Sequence, residues 1–284
     1  MGYVNMGEML AGAKAGRYAI GAFNTVDAMT TEAVIRAAEE KRAPVIIQTS
    51  AKTVKLYGAK PLAAMVIALA KEASVPVAMH LDHCKEIELI RECIAAGWSS
   101  VMIDASSKSF EENVALTAEV VALARPQDVT VEGELGAIVG VEDDIFVNEA
   151  DAHLADPEQS VEFVERTGVD VFAPAIGTAH GVYKGKPVIA FDRLEQIAAR
   201  VPAAVAIHGG TGLSDEVFHR CISLGGAKVN VSTQIKHAFR DSLSDYFEAN
   251  PTDYEPVKVL AYLREQTKAT VATFIETFGS AGTV

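Results

Sequence analysis

The sequence has little cysteine, no excess of positive charge and no long apolar run. Its three cysteines, Cys84, Cys93 and Cys221, give neither a paired framework nor a CxxC spacing. A disulfide-stapled secreted fold is therefore not expected, and a reducing cytoplasm is the natural location. The formal net charge of −13 argues against nucleic acid and against acidic membrane surfaces as partners. Apolar stretches such as Ala63 to Ala70 are too short to span a bilayer. The N-terminus carries no basic region followed by an apolar run and a small-residue cleavage site, so no secretion signal is expected. No Pro/Gly/Ser-rich linker divides the 284 residues, of which 49% are hydrophobic. One domain spanning the chain, with ample core, is the expectation.

What is present is an alternation of short β-branched runs with helical patterns. The strand candidates are residues 18–24, 44–50, 75–83, 100–106, 129–136, 171–176, 203–210 and 228–233. Between them lie helix signatures. Thr30-Thr31-Glu32-Ala33 opens a helix running to Glu40, and Ser109 with Glu112 forms a capping box ahead of Val114. Ser214-Asp215-Glu216 caps a helix that Gly225-Gly226 ends. Eight strand–helix repeats predict an α/β fold, a parallel (β/α)₈ TIM barrel. The chain from about Gln234 onward is helical beyond what a barrel needs and reads as one or two extra helices suited to oligomer contacts.

Polar residues concentrate at one end of these runs. Asn24, Ser50, Asp82, His83, Asp104, Glu134, His208 and Asn230 fall at or near the C-terminal ends of strands, where such barrels build active sites. In His80-Leu81-Asp82-His83, two imidazoles and a carboxylate meet where a strand gives way to a loop. Taken singly, Asp104 reads as a turn-fixing residue and His80 as a hydrogen-bonded core group. The segment from Ala137 to Asp156, irregular and acidic, reads as a lid over the catalytic face. Glu142 on that lid could reach a substrate. A second loop, Gly177 to Pro187, carries His180 and the first local positive charge.

His83, His180 and His208 lie near the ends of the third, sixth and seventh runs. Three histidines with an open fourth position suit a catalytic zinc, which either polarises a carbonyl or activates water. His208-Gly209-Gly210-Thr211-Gly212 and Asn230-Val231-Ser232-Thr233 lie after the seventh and eighth runs, the usual phosphate site of this barrel. Backbone N–H groups and hydroxyls there can bind a dianion without net positive charge. A lysine Schiff base is the other route to carbon–carbon cleavage. No lysine ends a strand, and Lys228, which begins the eighth, is expected at the opposite end of the barrel.

These motifs, with Ser100-Val101-Met102-Ile103-Asp104-Ala105-Ser106, Glu132-Gly133-Glu134-Leu135-Gly136 and Gly177-Thr178-Ala179-His180-Gly181, strongly resemble the class II, zinc-dependent ketose-bisphosphate aldolases over nearly the whole chain. The resemblance implies cleavage of fructose or tagatose 1,6-bisphosphate to dihydroxyacetone phosphate and glyceraldehyde 3-phosphate. It makes His83, His180 and His208 the Zn2+ ligands, with Glu134 a nearby carboxylate for a second metal position. Asp82 would handle the C4 hydroxyl proton, and Glu142 the proton at the dihydroxyacetone phosphate carbon. Gly181, Gly209, Thr211, Ser232 and Thr233 would bind the ketose-end phosphate, with a monovalent cation, Na+ or K+, nearby, and Gly210 and Val231 would also bind substrate. Asn230 would hold the dihydroxyacetone unit, while Asn24 and Ser50 line the pocket. Lys184 and Arg264 would meet the phosphates, the arginine coming from a neighbouring subunit of a homodimer or homotetramer. Lys184 and Arg264 favour the fructose substrate; residues 148–152 and Gly177 to His180 look more like tagatose enzymes. Two rivals are a zinc hydrolase, which would want His-x-His where the first run ends Phe23-Asn24-Thr25, and a non-catalytic barrel subunit, which would have lost ligands.

Overall fold

The structure is a computed structural model describing residues 2–142, 145–147, 153–181 and 187–284. Its strands are β1 (Gly2–Tyr3), β2 (Ile20–Asn24), β3 (Val45–Ser50), β4 (Pro76–Cys84), β5 (Ser100–Ile103) and β6 (Thr130–Leu135). They continue with β7 (Val139–Glu142), β8 (Ile145–Val147), β9 (Val171–Pro174), β10 (Ala179–His180), β11 (Ala204–Ile207) and β12 (Gly226–Val231). Eight of them, in the order β4-β3-β2-β12-β11-β9-β6-β5 and back to β4, form a closed, all-parallel barrel. The helices are α1 (Met6–Gly16), α2 (Ala28–Lys41), α3 (Ala51–Tyr57), α4 (Ala59–Glu72), α5 (Ile87–Ala96) and α6 (Phe110–Ala124). Then follow α7 (Pro157–Thr167), α8 (Phe191–Ala198), α9 (Asp215–Ser223), α10 (Thr233–Ala249) and α11 (Pro256–Thr277).

Side chains alternate across a strand, and that parity builds two cores. Outward residues, among them Phe23, Ile47, Met79, Val131, Phe172, Ile207 and Val229, are large or β-branched and pack against the helices. Inward residues at the N-terminal end, Ile20, Ala22, Ile46, Ala78, Val171, Ala173, Ala204 and Ala206, form a separate apolar cluster. Helix α1 stoppers this end with Met6, Met9, Leu10 and Ala13, spaced as one helical face. Thr130 Oγ1 receives the Gly7 N–H at 2.9 Å and donates to Asn5 Oδ1 at 2.8 Å, which pins the start of α1.

Three details depart from the sequence reading. The cap of α2 is Asp27, not the threonines: its side chain accepts from Thr30 N, and the Thr30 hydroxyl completes the box. The segment after β6 is not irregular throughout. Alternating Val139-Gly140-Val141 and the β-rich Ile145-Phe146-Val147 form an antiparallel hairpin, and β7 also pairs with β10. Only one of the two C-terminal helices is an addition. Helix α11 packs against α2, β2 and α9, and its Val271, Ile275 and the following Phe278 lie in the outer core. It therefore fills the place of the barrel's eighth helix, with α10 as the insertion. No single helix among the described residues is long and apolar enough to cross a membrane.

Candidate active site

Among the described residues the buried charged side chains are Asp82, Asp104, Glu132, Glu134 and Lys228, and all stand in the upper part of the barrel. Parity puts them there. On β4 the inward series runs Ala78, His80, Asp82; on β12 it runs Lys228, Asn230; on β6 it ends Glu132, Glu134. His83 has the wrong parity and would face the helices in a regular strand. A register break between Leu81 and Cys84, with His83 at φ 44°, turns its imidazole into the mouth beside Asp82. Positive φ is costly for a residue with a Cβ, so the site holds this local strain for the sake of the direction it gives.

The three histidines converge. Candidate ligand atoms of His83, His180 and His208 lie within 4.8 Å of one another, and all three rings are buried. Outer contacts decide which nitrogens face inward. His83 Nδ1–H donates to Asp104 Oδ2 at 3.1 Å, and His208 Nε2–H donates to Glu132 Oε1 at 2.6 Å. A carboxylate can only accept, so these contacts assign both tautomers. The inward atoms, His83 Nε2 and His208 Nδ1, then face each other at 2.9 Å. Two lone pairs at that distance need a cation between them, a proton or a metal. Glu134 Oε2 stands 3.4 Å from His208 Nδ1.

The electrostatics agree. Burial drives His83 down, but Asp82, the bond to Asp104 and the nearby Glu134 outweigh it and hold this imidazole well above its ordinary value. Burial also lowers His208, which its bonds to Glu132 and Glu134 raise overall. His180 is held well below its usual value by burial and by the two other imidazoles. Glu134 is pushed up by burial and by Asp104. Four buried carboxylates against one buried ammonium give a site that fits a divalent cation held by nitrogen donors.

Asp82 sits next to this cluster. Asn24 Nδ2 and Asn230 Nδ2 donate to its two oxygens at 3.2 and 3.3 Å, and Gln48 Nε2 donates to Asn24 Oδ1 at 2.9 Å. Ser50 is its neighbour in register across β3 and β4, and also caps α3. Gly209 has φ 68°, and a Cβ there would collide with the Ala179 carbonyl. A Cβ on Gly210 would come within 2.9 Å of the Asn230 carbonyl oxygen. The two glycines thus lock the Gly-rich turn, with buried Thr211, between the ends of β10 and β12. Ser232 is the N-cap of the 17-residue α10, which starts at Thr233; its buried Oγ makes no hydrogen bond among the described residues. Gly181, at φ 82°, follows His180 directly.

Other expectations meet the structure differently. The Val231 side chain points outward into the helix-facing core, because it has the parity of Val229. Only its backbone is available to a ligand. Arg264, on α11, pairs with Glu32 and Glu265 rather than with the histidine cluster. The Glu142 backbone lies in β7, with its side chain outside the described residues; Lys184 and residues 148–152 lie outside them as well. Asp104 does more than fix a turn. Its Oδ1 accepts from Ser106 while Oδ2 orients His83. His80 is a core group as expected, bonded to Ser100 Oγ at 2.7 Å. Lys228 is not at the far end: its side chain climbs the barrel interior to Glu132 and Asn230. Neither Glu132 nor Lys228 is expected at the site from the sequence, yet each shares parity with a residue that is, Glu134 and Asn230.

A closed parallel barrel with a carboxylate-oriented histidine cluster at its mouth is the frame of a metal-dependent barrel enzyme. The chain belongs to the class-II fructose-bisphosphate aldolase family, whose model, described as Fructose-bisphosphate aldolase class-II, matches residues 4–283. It is 42% identical over 298 residues to the fructose-bisphosphate aldolase of Thermus caldophilus, covering 97% of each chain. It is likewise 42% identical over 275 residues, 97% of each, to the D-tagatose-1,6-bisphosphate aldolase subunit GatY of Klebsiella oxytoca. The crystal structure of the YdjI aldolase from Escherichia coli K12 superposes with a TM-score of 0.88 at 33% identity, covering 99% of each chain.

Proposed function

We propose that this protein catalyses reversible aldol cleavage of a ketose 1,6-bisphosphate, with fructose 1,6-bisphosphate favoured and the tagatose epimer as the alternative. The carrying observation is the pair of inward-facing imidazole nitrogens 2.9 Å apart, each fixed from behind by a carboxylate, beside the buried Asp82. His83, His180 and His208 would hold a divalent metal, Zn2+ in this reading, with Glu134 close by. Once bound there, the metal supplies Lewis-acid polarisation of the ketose carbonyl.

The chain's own groups do the rest. Asp82 accepts the C4 hydroxyl proton as the C3–C4 bond breaks, and the amides of Asn24 and Asn230 keep both its oxygens aimed. Glu142 returns a proton to the carbon of the dihydroxyacetone phosphate half. Gly181, Gly209, Gly210, Thr211, Ser232, Thr233 and the Val231 backbone receive the ketose-end phosphate, aided by a monovalent cation. The spare Ser232 hydroxyl at the start of α10 favours this, since a helix N-terminus offers N–H groups to an anion. That arrangement lets a chain of net charge −13 bind an anionic sugar. Lys184 and an Arg264 from a neighbouring subunit meet the phosphates in a cytoplasmic homodimer or homotetramer.

The test is kcat/KM on both bisphosphates, before and after dialysis against EDTA. Cleavage should vanish with the metal and return with zinc. Inactivation by borohydride in the presence of substrate would overturn the metal route. A tenfold tagatose preference, only ~1.4 kcal/mol of differential transition-state binding, would reverse the choice of sugar and leave the reaction intact.

A further inference from the structure

The reaction gives the buried Lys228 no task, although its ion-pair partner Glu132 orients His208. Lys228 and Glu132 have no solvent access at either side chain, and Lys228 Nζ lies 2.9 Å from Glu132 Oε2. A buried pair of this kind is weak support for stability, because desolvation offsets most of its Coulomb attraction. Nor can Lys228 serve as an imine-forming amine while it is closed off and held on two sides.

Its two contacts lead in different directions. Lys228 donates to Asn230 Oδ1 at 2.7 Å, and Asn230 Nδ2 donates in turn to Asp82 Oδ1 at 3.3 Å. On the other side, Glu132 Oε1 accepts from His208 Nε2 at 2.6 Å, which keeps His208 Nδ1 directed at His83. An ammonium has donors and no acceptor, so it settles both partners. With its oxygen taken by Lys228, the Asn230 amide must present N–H to Asp82. Flipped, it would set an acceptor against a carboxylate. Glu132, with one oxygen on the ammonium, is left with the other for His208. His80 completes the surroundings of Glu132, its Nε2 standing 3.5 Å from Oε2.

Building on the aldolase reading, we propose that Lys228 is a positioning residue that aligns two arms of the site at once: the metal-holding face of His208 through Glu132, and the proton-accepting Asp82 through Asn230. It touches neither metal nor substrate. It sets the direction of the groups that do.

Lys228→Met keeps the length of the side chain and removes its charge and donors. Both arms should loosen. The rate of metal transfer to a chromogenic chelator should rise about 10–100-fold, and kcat at saturating metal should fall by a similar factor. KM should stay near the wild-type value, since no substrate contact is lost. Lys228→Met combined with Glu132→Gln should release metal no faster than Glu132→Gln alone, because both changes lie on one path. A merely structural role predicts a lowered melting temperature with both functional readouts intact. Lys228→Gln is the second variant, for use if the methionine protein does not fold, and the same paired loss is expected. A folded variant with unchanged metal release, or with unchanged kcat, overturns the proposal. So would failure of both variants to fold, which would make Lys228 a folding residue. Wild-type protein that cleaves neither bisphosphate would remove the aldolase reading instead, a result separate from how Lys228 variants retain metal.

Discussion

At one end of the barrel the inward side chains are Ile20, Ile46, Ala78 and Ala206, stoppered by Met6 and Leu10 of α1. Two to four residues further along the same strands they are Asn24, Gln48, His80, Asp82 and His208. Parity and strand order are shared, so, the bulge at His83 aside, the difference lies in side-chain polarity. The lower layer is held by packing and is indifferent to direction. The upper layer carries a chain of directed hydrogen bonds, from Gln48 through Asn24, Asp82 and Asn230 to Lys228. Packing energy is non-directional, whereas a buried polar network specifies angles. The barrel thus separates what keeps it folded from what it does, within a single set of strands.

The largest effect should come from cutting the upper network at its reacting end. Asp82→Ala should lower kcat by about 10²–10⁴-fold while the protein still binds zinc, since the three imidazoles and their carboxylate partners remain. Turnover and metal content of the same sample check this. Loss of zinc together with activity would show that the two layers of function are not separable.

Next in size is an attempt to make the lower layer resemble the upper one. Ala78→Asp places a carboxylate in the apolar cluster of Met6, Leu10 and Ile46, three strands away from Lys228, the buried cation among the described residues. An uncompensated buried charge costs about 3–5 kcal/mol, so urea unfolding should shift strongly. Activity per folded molecule should stay at the wild-type level. A cost under about 1 kcal/mol would mean that the lower layer is wet and the comparison is mistaken.

The two layers were not equally legible in the sequence. All eight barrel strands were readable, because outward β-branched residues and helix caps such as Ser109 with Glu112 are local signals. The histidine cluster was readable from its place at strand ends. Helix α1 was missed although Met6, Met9, Leu10 and Ala13 carry its spacing. The bulge at His83 had no glycine to announce it; only closure of the barrel around the site demands that backbone. The sequence puts Lys228 at the wrong end of the barrel only if its position along β12 is equated with the position of its charge. A strand rises about 3.3 Å per residue, so a lysine stem carries its ammonium roughly two residues upward.

A finer test acts on one bond of the upper layer. Asp104→Asn preserves size and removes the charge behind His83. The new amide can donate to Nδ1, which would favour the tautomer with a proton on Nε2, the atom facing His208. Metal affinity should fall about 10–100-fold, as measured by competition with a chelator, with little change in melting temperature. Unchanged affinity would mean that the ring is held by packing alone.

The smallest effect within the chain, and the last way to sharpen the contrast, concerns a residue that belongs to neither layer. Arg264 sits on the outer ring with its side chain 24% exposed, paired with Glu32 at 3.5 Å and with Glu265 at 3.3 Å. Such part-exposed pairs are worth about 0–1 kcal/mol, so Arg264→Ala should scarcely move the unfolding midpoint. Among the described residues its ion pairs are with Glu32 and Glu265 and none is with the histidines of its own barrel, so a kinetic defect would point to a site on another subunit. If a neighbour uses this guanidinium against a substrate phosphate, KM for the bisphosphate should rise up to about tenfold, equivalent to ~1.4 kcal/mol of lost binding, with kcat nearly intact. Mixing Arg264→Ala chains with inactive Asp82→Ala chains gives the decisive form. In a mixed assembly an Asp82→Ala subunit can lend its arginine to an Arg264→Ala subunit that keeps its carboxylate, and low-KM activity should return. Ultracentrifugation showing an active monomer, or mixtures without such recovery, would confine Arg264 to its weak pairs on the outer ring.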